Sequence, residues 1–236
     1  MSLAINGYTL PVKINRRKMA KRFTLRVCKI TGEINLTIPL KSSQGSAEDF
    51  IEKNAHWISH QLKQVIPRDY VSFGKSIPIE GIERVIVPKE KSFTGNILQK
   101  KHLYLESDEL NLGLVTKRFL LGRASTILTP IFQEQAEHIK ERIKSIKFKD
   151  TKSRWGSCSS EGSLMINWRL IMAPPSVYRY VVVHEVSHLR HMNHGKEFWK
   201  LVKKLHPFYL NDRSWLRRNG RSLKRFVFDV SKEDAA

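Results

Sequence analysis

Val181-Val182-Val183-His184-Glu185-Val186-Ser187-His188-Leu189-Arg190-His191-Met192-Asn193-His194-Gly195 is the stretch from which this 236-residue chain is read. Its centre, His184-Glu185-x-x-His188, sets two imidazoles four positions apart, one turn along the same helical face. Two rings so placed can share one metal ion through their nitrogens. Glu185 then lies beside the remaining coordination position, where a carboxylate can take a proton from a water molecule. The valine-rich approach predicts a buried helix, and Asn193-His194-Gly195 predicts its end, since Asn and Gly tolerate left-handed backbone.

A hydrolytic zinc site needs a third protein ligand and one open position. His191 continues the face of His184 and His188 but lies two turns from His184, too far for short metal–nitrogen bonds on one straight helix. His194 is better placed, because a break at Asn193/Gly195 folds it back toward the metal. Glu197 is the alternative if the third ligand is a carboxylate on the next helix. The expected cofactor is one Zn2+, or another divalent metal in its place.

Upstream, Ile146-Lys147-Phe148 reads as a strand. Ser153 to Ser159 and Ser163 to Leu170 read as a hairpin across Glu161-Gly162, with Ala173-Pro174-Pro175-Ser176 starting the metal-site helix. Phe198, Trp199, Val202 and Leu205 describe a helix broken at Pro207, and Trp215 and Leu216 a short one closed by Gly220. Within the hairpin, Trp155 and Trp168 are core aromatics or a substrate platform. Arg154 and Arg169 bind an anionic substrate or form internal ion pairs. Cys158 is a small buried residue or a thiol at the site. His191 is a hydrogen bonder behind the metal or an exposed histidine.

Arg154-Trp155-Gly156-Ser157-Cys158-Ser159, Asn167-Trp168-Arg169-Leu170, Ala173-Pro174-Pro175 and His184 to Trp199 together resemble the YgjP-type metallopeptidase-domain family, which is similar to the SprT-like and WLM zincins. The likeness is closest over residues 145–220. It implies a zincin-like α+β domain with His184, His188 and His194 on zinc and Glu185 as general base. It also implies that the Trp155 and Trp168 hairpin, with Asn167, borders the cleft as the sheet edge to which an extended substrate adds.

The remainder of the chain reads as α+β. Residues 1–40 look like antiparallel strands, Tyr8 to Ile14, Phe23 to Val27 and Ile34 to Ile38, the last two across a Thr31-Gly32 turn. Ser46 opens one amphipathic helix running to Val65, on which His56 and His60 read as exposed. Short strands return between residues 70 and 106. From Gly113 to about Lys144 a long helix is expected, kinked or split at Pro130. A boundary near residue 110 separates a strand-rich region, 1–110, from a zincin-like catalytic domain, 111–236.

Composition bounds the function. A hydrophobic fraction of 41% and five Trp argue for a folded globular protein. The net charge of +20 is heavier in the half that carries the histidine motif, and attracts polyanions, with nucleic acid among the expected partners. Cys28 and Cys158 fit no CxxC pattern. With no long apolar run and no signal-like start, a cytoplasmic protein without a membrane span is expected. Three functions follow: a zinc metallopeptidase, a metal-dependent hydrolase of nucleotides or another small anion, and a non-catalytic nucleic-acid-binding protein with structural zinc. Glu185 argues against the last.

Overall fold

The computed structural model describes residues 2–5, 8–89 and 95–228, with side chains from residue 11 onward. The chain divides into two compact units, Met1–Arg68 and Asp69–Ala236. The division falls well before residue 110. Ile77, Ile79, Ile86, Leu103 and Leu105, from the strands expected to end the first region, are buried in one core with Leu120, Leu128, Phe132, Ile166 and Val182. Cutting near 110 would sever that core.

The first unit holds β1 (Ser2–Ile5), β2 (Tyr8–Arg17), β3 (Thr24–Val27), β4 (Ile34–Pro39), α1 (Gln44–Lys53) and α2 (Ala55–Leu62). Its sheet runs β1-β2-β4-β3. The sheet is mixed, not antiparallel throughout: β3 and β4 form the expected hairpin, but β2 lies parallel to β4, Val12 beside Ile34. β4 is therefore central. Its alternating Ile34, Leu36 and Ile38 are buried with Ala47 and Ile51 of α1 and Ile58 of α2. The helical stretch begins earlier than Ser46, because the Ser43 hydroxyl accepts from the Ser46 N–H at 3.1 Å and caps it. It also breaks at Asn54, whose amide donates to the Phe50 carbonyl at 2.7 Å.

The second unit begins with β5 (Asp69–Tyr70), β6 (Ser76–Ile79), β7 (Ile82–Pro88), β8 (Ile97–Leu98) and β9 (His102–Leu105), then α3 (Leu112–His138). β6, β7, β9 and β8 form a sheet in that order. α3 passes through Pro130 without splitting and ends at Ile139. Pro130 stands on the solvent side, where a missing backbone hydrogen bond costs least. The helix closes with the Lys140 N–H on the Glu137 carbonyl and the Glu141 N–H on the Ala136 carbonyl, both 2.9 Å. That closure forces Lys140 to φ 56°, left-handed geometry in a position glycine normally fills.

The third sheet consists of β10 (Ser145–Lys149), β11 (Gly156–Cys158) and β12 (Ser163–Asn167), ordered β10-β12-β11. β12 stops at Asn167, earlier than the sequence suggests. The Asn167 side chain accepts from the Arg169 N–H at 3.0 Å and donates to the Thr151 carbonyl at 3.0 Å, turning Trp168–Met172 into a 3-10 helix. α4 (Pro175–Ser187), α5 (Lys196–Leu205), α6 (Tyr209–Asn219) and β13 (Phe226–Val227) complete the unit. α4 is the buried axis, with Val181, Val182, Val183 and Val186 all in the core. Among the described residues no helix is long and apolar enough to cross a membrane.

The left-handed Lys140 yields a stability prediction. A side chain in this region costs about 1–2 kcal/mol, partly offset by the entropy glycine loses on folding. Lys140→Gly should therefore stabilise the protein by about 0.5–1 kcal/mol, or about 1–4 °C in Tm. Thermal denaturation checks this, and a lower Tm in the variant counts against backbone strain at this residue.

Candidate metal centre and cleft

α4 ends at Ser187, so His184 sits in its last turn and His188 is its capping residue. The break comes five residues sooner than Asn193 suggests. Three tightened turns follow, the N–H groups of His188, Leu189 and Arg190 donating to carbonyls three residues back, of Glu185, Val186 and Ser187. The chain then reverses and returns His194 to the face it has just left. Ligand atoms of His184, His188 and His194 all lie within 4.8 Å of one another. His184 Nε2 and His194 Nε2 are 3.1 Å apart. Zinc–nitrogen bonds of about 2.0–2.1 Å at tetrahedral angles place ligand nitrogens about 3.3 Å apart, so the spacing fits.

The surroundings suit a metal. His188 Nδ1 lies 3.0 Å from the His191 carbonyl, which holds the ring and leaves Nε2 for the shared centre. His191 thus acts through its backbone. Phe198, fully buried, packs against all three rings, with centroids 5.0, 4.6 and 4.7 Å from His184, His188 and His194. Burial, then the neighbouring His188 and His194, hold the His184 pKa down at about 3. Burial also lowers that of His188. Both rings are therefore neutral near pH 7, with lone pairs free for a cation. Nδ1 of His184 is buried without a partner. Glu197 is outside this group, exposed and 3.7 Å from Lys200. His60 instead contacts Gln64 at 2.9 Å on α2.

Glu185 is 5% exposed and lies against the edge of the third sheet, beside His184 in the same cavity wall. Gly156 makes that approach feasible: a β-carbon there would lie 2.3 Å from Glu185 Oε1. Any side chain there would displace the Glu185 carboxyl group from its place against the strand. Burial pushes the Glu185 pKa up to about 8, opposed by the charge of Arg154. A dication among the imidazoles would act in the same sense as Arg154 and favour the carboxylate. Glu185, His184, Gly156, Tyr180, Trp155 and Leu216 line a cavity of about 230 Å3. Tyr180, one turn before His184, has its pKa raised to about 12 by burial and so keeps its hydroxyl proton.

The remaining hairpin residues separate into wall and scaffold. Trp155 lines the cavity under the Lys224 ammonium, 4.4 Å from its ring. Trp168 is buried edge-on to Phe228 at 5.4 Å. Arg169 is spent internally, paired with Asp150 at 2.9 Å and donating to the carbonyls of Leu223 and Phe226. Asn167, fully buried, turns the chain and does not reach the cleft. Arg154 is exposed, with its charge acting on Glu185. Cys158 is half-buried, its thiol pushed up to about 11 by burial and then by Glu185, which disfavours a thiolate.

Sequence reasoning missed Gly156, Phe198 and Tyr180 as parts of the site. Phe198 and Tyr180 carry helical spacing to the motif and read simply as core. The role of Gly156 depends on a contact between elements distant in sequence.

The family described as YgjP-like, metallopeptidase domain matches residues 21–219. The chain belongs to that family. No curated protein and no solved structure gives a match.

Loss of hydrogen-bonding partners around metal ligands costs about 10–100-fold in affinity, so loss of a ligand should exceed about a hundredfold. His194→Ala should therefore purify without stoichiometric metal, while Glu197→Ala retains it. Elemental analysis decides, and metal retained by the histidine variant removes His194 from the set. A second expectation concerns metal-free protein. The folded Glu185 pKa is raised from 4.5 to about 8, so its stability contribution is full below pH 4.5 and is lost as pH rises toward 8. Glu185→Gln lacks that loss. In chelator, its stability advantage over wild type should grow between pH 5 and 8 and then level off. A difference that does not change with pH speaks against the raised value.

Proposed function

We propose that this YgjP-like metallopeptidase-domain protein is a zinc peptidase, with His184, His188 and His194 holding one Zn2+ and Glu185 acting as general base. One observation carries the reading: a buried carboxylate lies between a three-histidine cluster and an unpaired sheet edge.

That edge suits a polypeptide. Within the β11–β12 pair, the Asn167 N–H donates to the Trp155 carbonyl at 2.8 Å, and the Ser159 N–H to the Ser163 carbonyl at 2.9 Å. Antiparallel pairing alternates, so the N–H and C=O groups of Gly156 and Cys158 face away from β12. They are free to hold an extended substrate as an added strand. The close packing of Gly156 on Glu185 keeps the scissile bond near the base. Three protein ligands, with no fourth in the cluster among the described residues, speak against a structural zinc, which is usually closed by four.

Held by His184, His188 and His194, a zinc ion would supply Lewis acidity for the scissile carbonyl and lower the pKa of the attacking water toward neutrality. Glu185 accepts the water proton on a carboxylate oxygen and returns it to the leaving amine nitrogen. Burial strengthens both transfers by excluding competing solvent. Tyr180 offers a phenolic donor in the same cavity.

Glu185→Gln should keep one equivalent of zinc and the native fold, while hydrolysis of unstructured protein such as casein falls about 10²–10⁴-fold, the usual worth of a general base. Assays of zinc-loaded wild type and variant side by side test this. Equal turnover by the two removes Glu185 from the chemistry. Wild type with full zinc and no hydrolysis of any polypeptide ends the peptidase reading.

A further inference from the structure

A second cavity, of about 500 Å3, opens on the His188 side of the histidine cluster. Its walls come from three places: Lys140 to Arg142 after α3, Ser159 to Gly162 in the β11–β12 turn, and His188, Leu189 and Met192 after α4. The walls are tied together. The Lys144 N–H donates to the Gly162 carbonyl at 2.9 Å. The Arg190 guanidinium donates to the Ile139 carbonyl and pairs with Glu141 at 3.2 Å.

Both carboxylates in the lining are engaged, Glu141 with Arg190 and Glu161 with Lys144 at 2.6 Å. The two cations in the lining are not. Lys140 and Arg142 are exposed and form no ion pair among the described residues. With Glu141 and Glu161 held by Arg190 and Lys144 from outside the lining, the charges left without an ion-pair partner at this cavity are those of Lys140 and Arg142, beside a proposed metal ligand. Lys140 also holds left-handed backbone at φ 56°, a strained state that projects a lysine here where glycine would be more stable. β11 continues directly into this lining at Ser159, so the sheet edge proposed for the substrate ends at the cavity wall.

We propose that this cavity is a specificity pocket for an acidic residue of the peptide substrate, Lys140 and Arg142 binding its carboxylate and Leu189 and Met192 packing on its methylenes. The proposal rests on the peptidase reading and narrows its substrate class to polypeptides with Asp or Glu close to the scissile bond. Alternation along the added strand sends every second side chain toward the same face, so a single position should carry the preference.

The test uses full-length, zinc-loaded Glu185→Gln, which binds without turnover, and short fluorescent peptides in which one position at a time is Glu, Gln or Lys. At one position Glu should bind roughly tenfold tighter than Gln, as expected for charge-assisted hydrogen bonds. Lys140→Ala/Arg142→Ala should remove that preference, the Glu peptide losing roughly tenfold more affinity than the Gln peptide. Lys140→Glu/Arg142→Glu should turn the preference toward Lys. Both positions are exposed, and zinc content with circular dichroism verifies the fold of each variant. Equal binding of Glu and Gln peptides at every position overturns the pocket, as does a preference that survives the double alanine change. It is also overturned if an oligonucleotide displaces the peptide and loses its own binding in the same variants. Cleavage by wild type separates the two readings. Peptides cut without acidic preference sink the pocket alone; peptides bound with acidic preference but never cut sink the peptidase alone.

Discussion

The site depends on a reversal of the chain immediately after His188. A helix can deliver two imidazoles to one point through its four-residue spacing, but the next residue on that face has already moved along the axis. A third nitrogen must come from elsewhere, and here the same segment supplies it. The helix stops on its second ligand, tightened turns consume the last carbonyls, and His194 returns to 3.1 Å from His184. One of the reversing residues does further work, because the His191 carbonyl holds the His188 ring. Ending the helix and orienting its ligand are thus a single structural event.

Burial then sets protonation. Phe198 and the valines of α4 shield His184 and His188 from water, which makes their charged forms costly and leaves their lone pairs free. The same burial penalises an ionised Glu185, and the charge of Arg154 offsets that penalty in part. A site with two imidazoles held neutral by burial and an under-compensated acid is stable to assemble but electrostatically unfinished. A divalent cation held by the histidines would address both deficits, taking up the free lone pairs and favouring the ionised carboxylate that the proposed general base requires.

The sequence displayed what depends on local spacing. His184, Glu185 and His188 are legible because helical periodicity alone brings them together, and His194 because Asn and Gly mark a break. The exact stopping point was hidden, since nothing in Leu189-Arg190-His191 forbids another helical turn. β2 beside β4 was illegible because alternation of apolar residues does not distinguish parallel from antiparallel neighbours. The boundary at residue 110 failed for a related reason. Strands and helices alternate across it, and only long-range burial of Ile77, Ile86 and Leu103 with α3 reveals one core. Arg169 and Asn167 resemble cleft residues in sequence, yet their bonding capacity is spent on backbone that must be turned.

The charge of +20 acquires meaning only when its members are sorted by partner. Arg169 and Arg190 are structural cations, each satisfying buried or partly buried carbonyls while holding an acid. A guanidinium suits that task because its fork serves several acceptors at once. Removing these two from consideration as ligands for an anion changes the picture of the cleft. The charge left around the histidine cluster includes Lys140 and Arg142 beside His188, Arg154 near Glu185 and Arg213 near His184, around a metal site that would itself be cationic when filled. On the peptidase proposal, a substrate entering among them would meet positive potential around the cluster, and its own negative groups would determine which way it lies. Such an arrangement would add polarity of binding, and not attraction in bulk, to the chemistry proposed for Glu185.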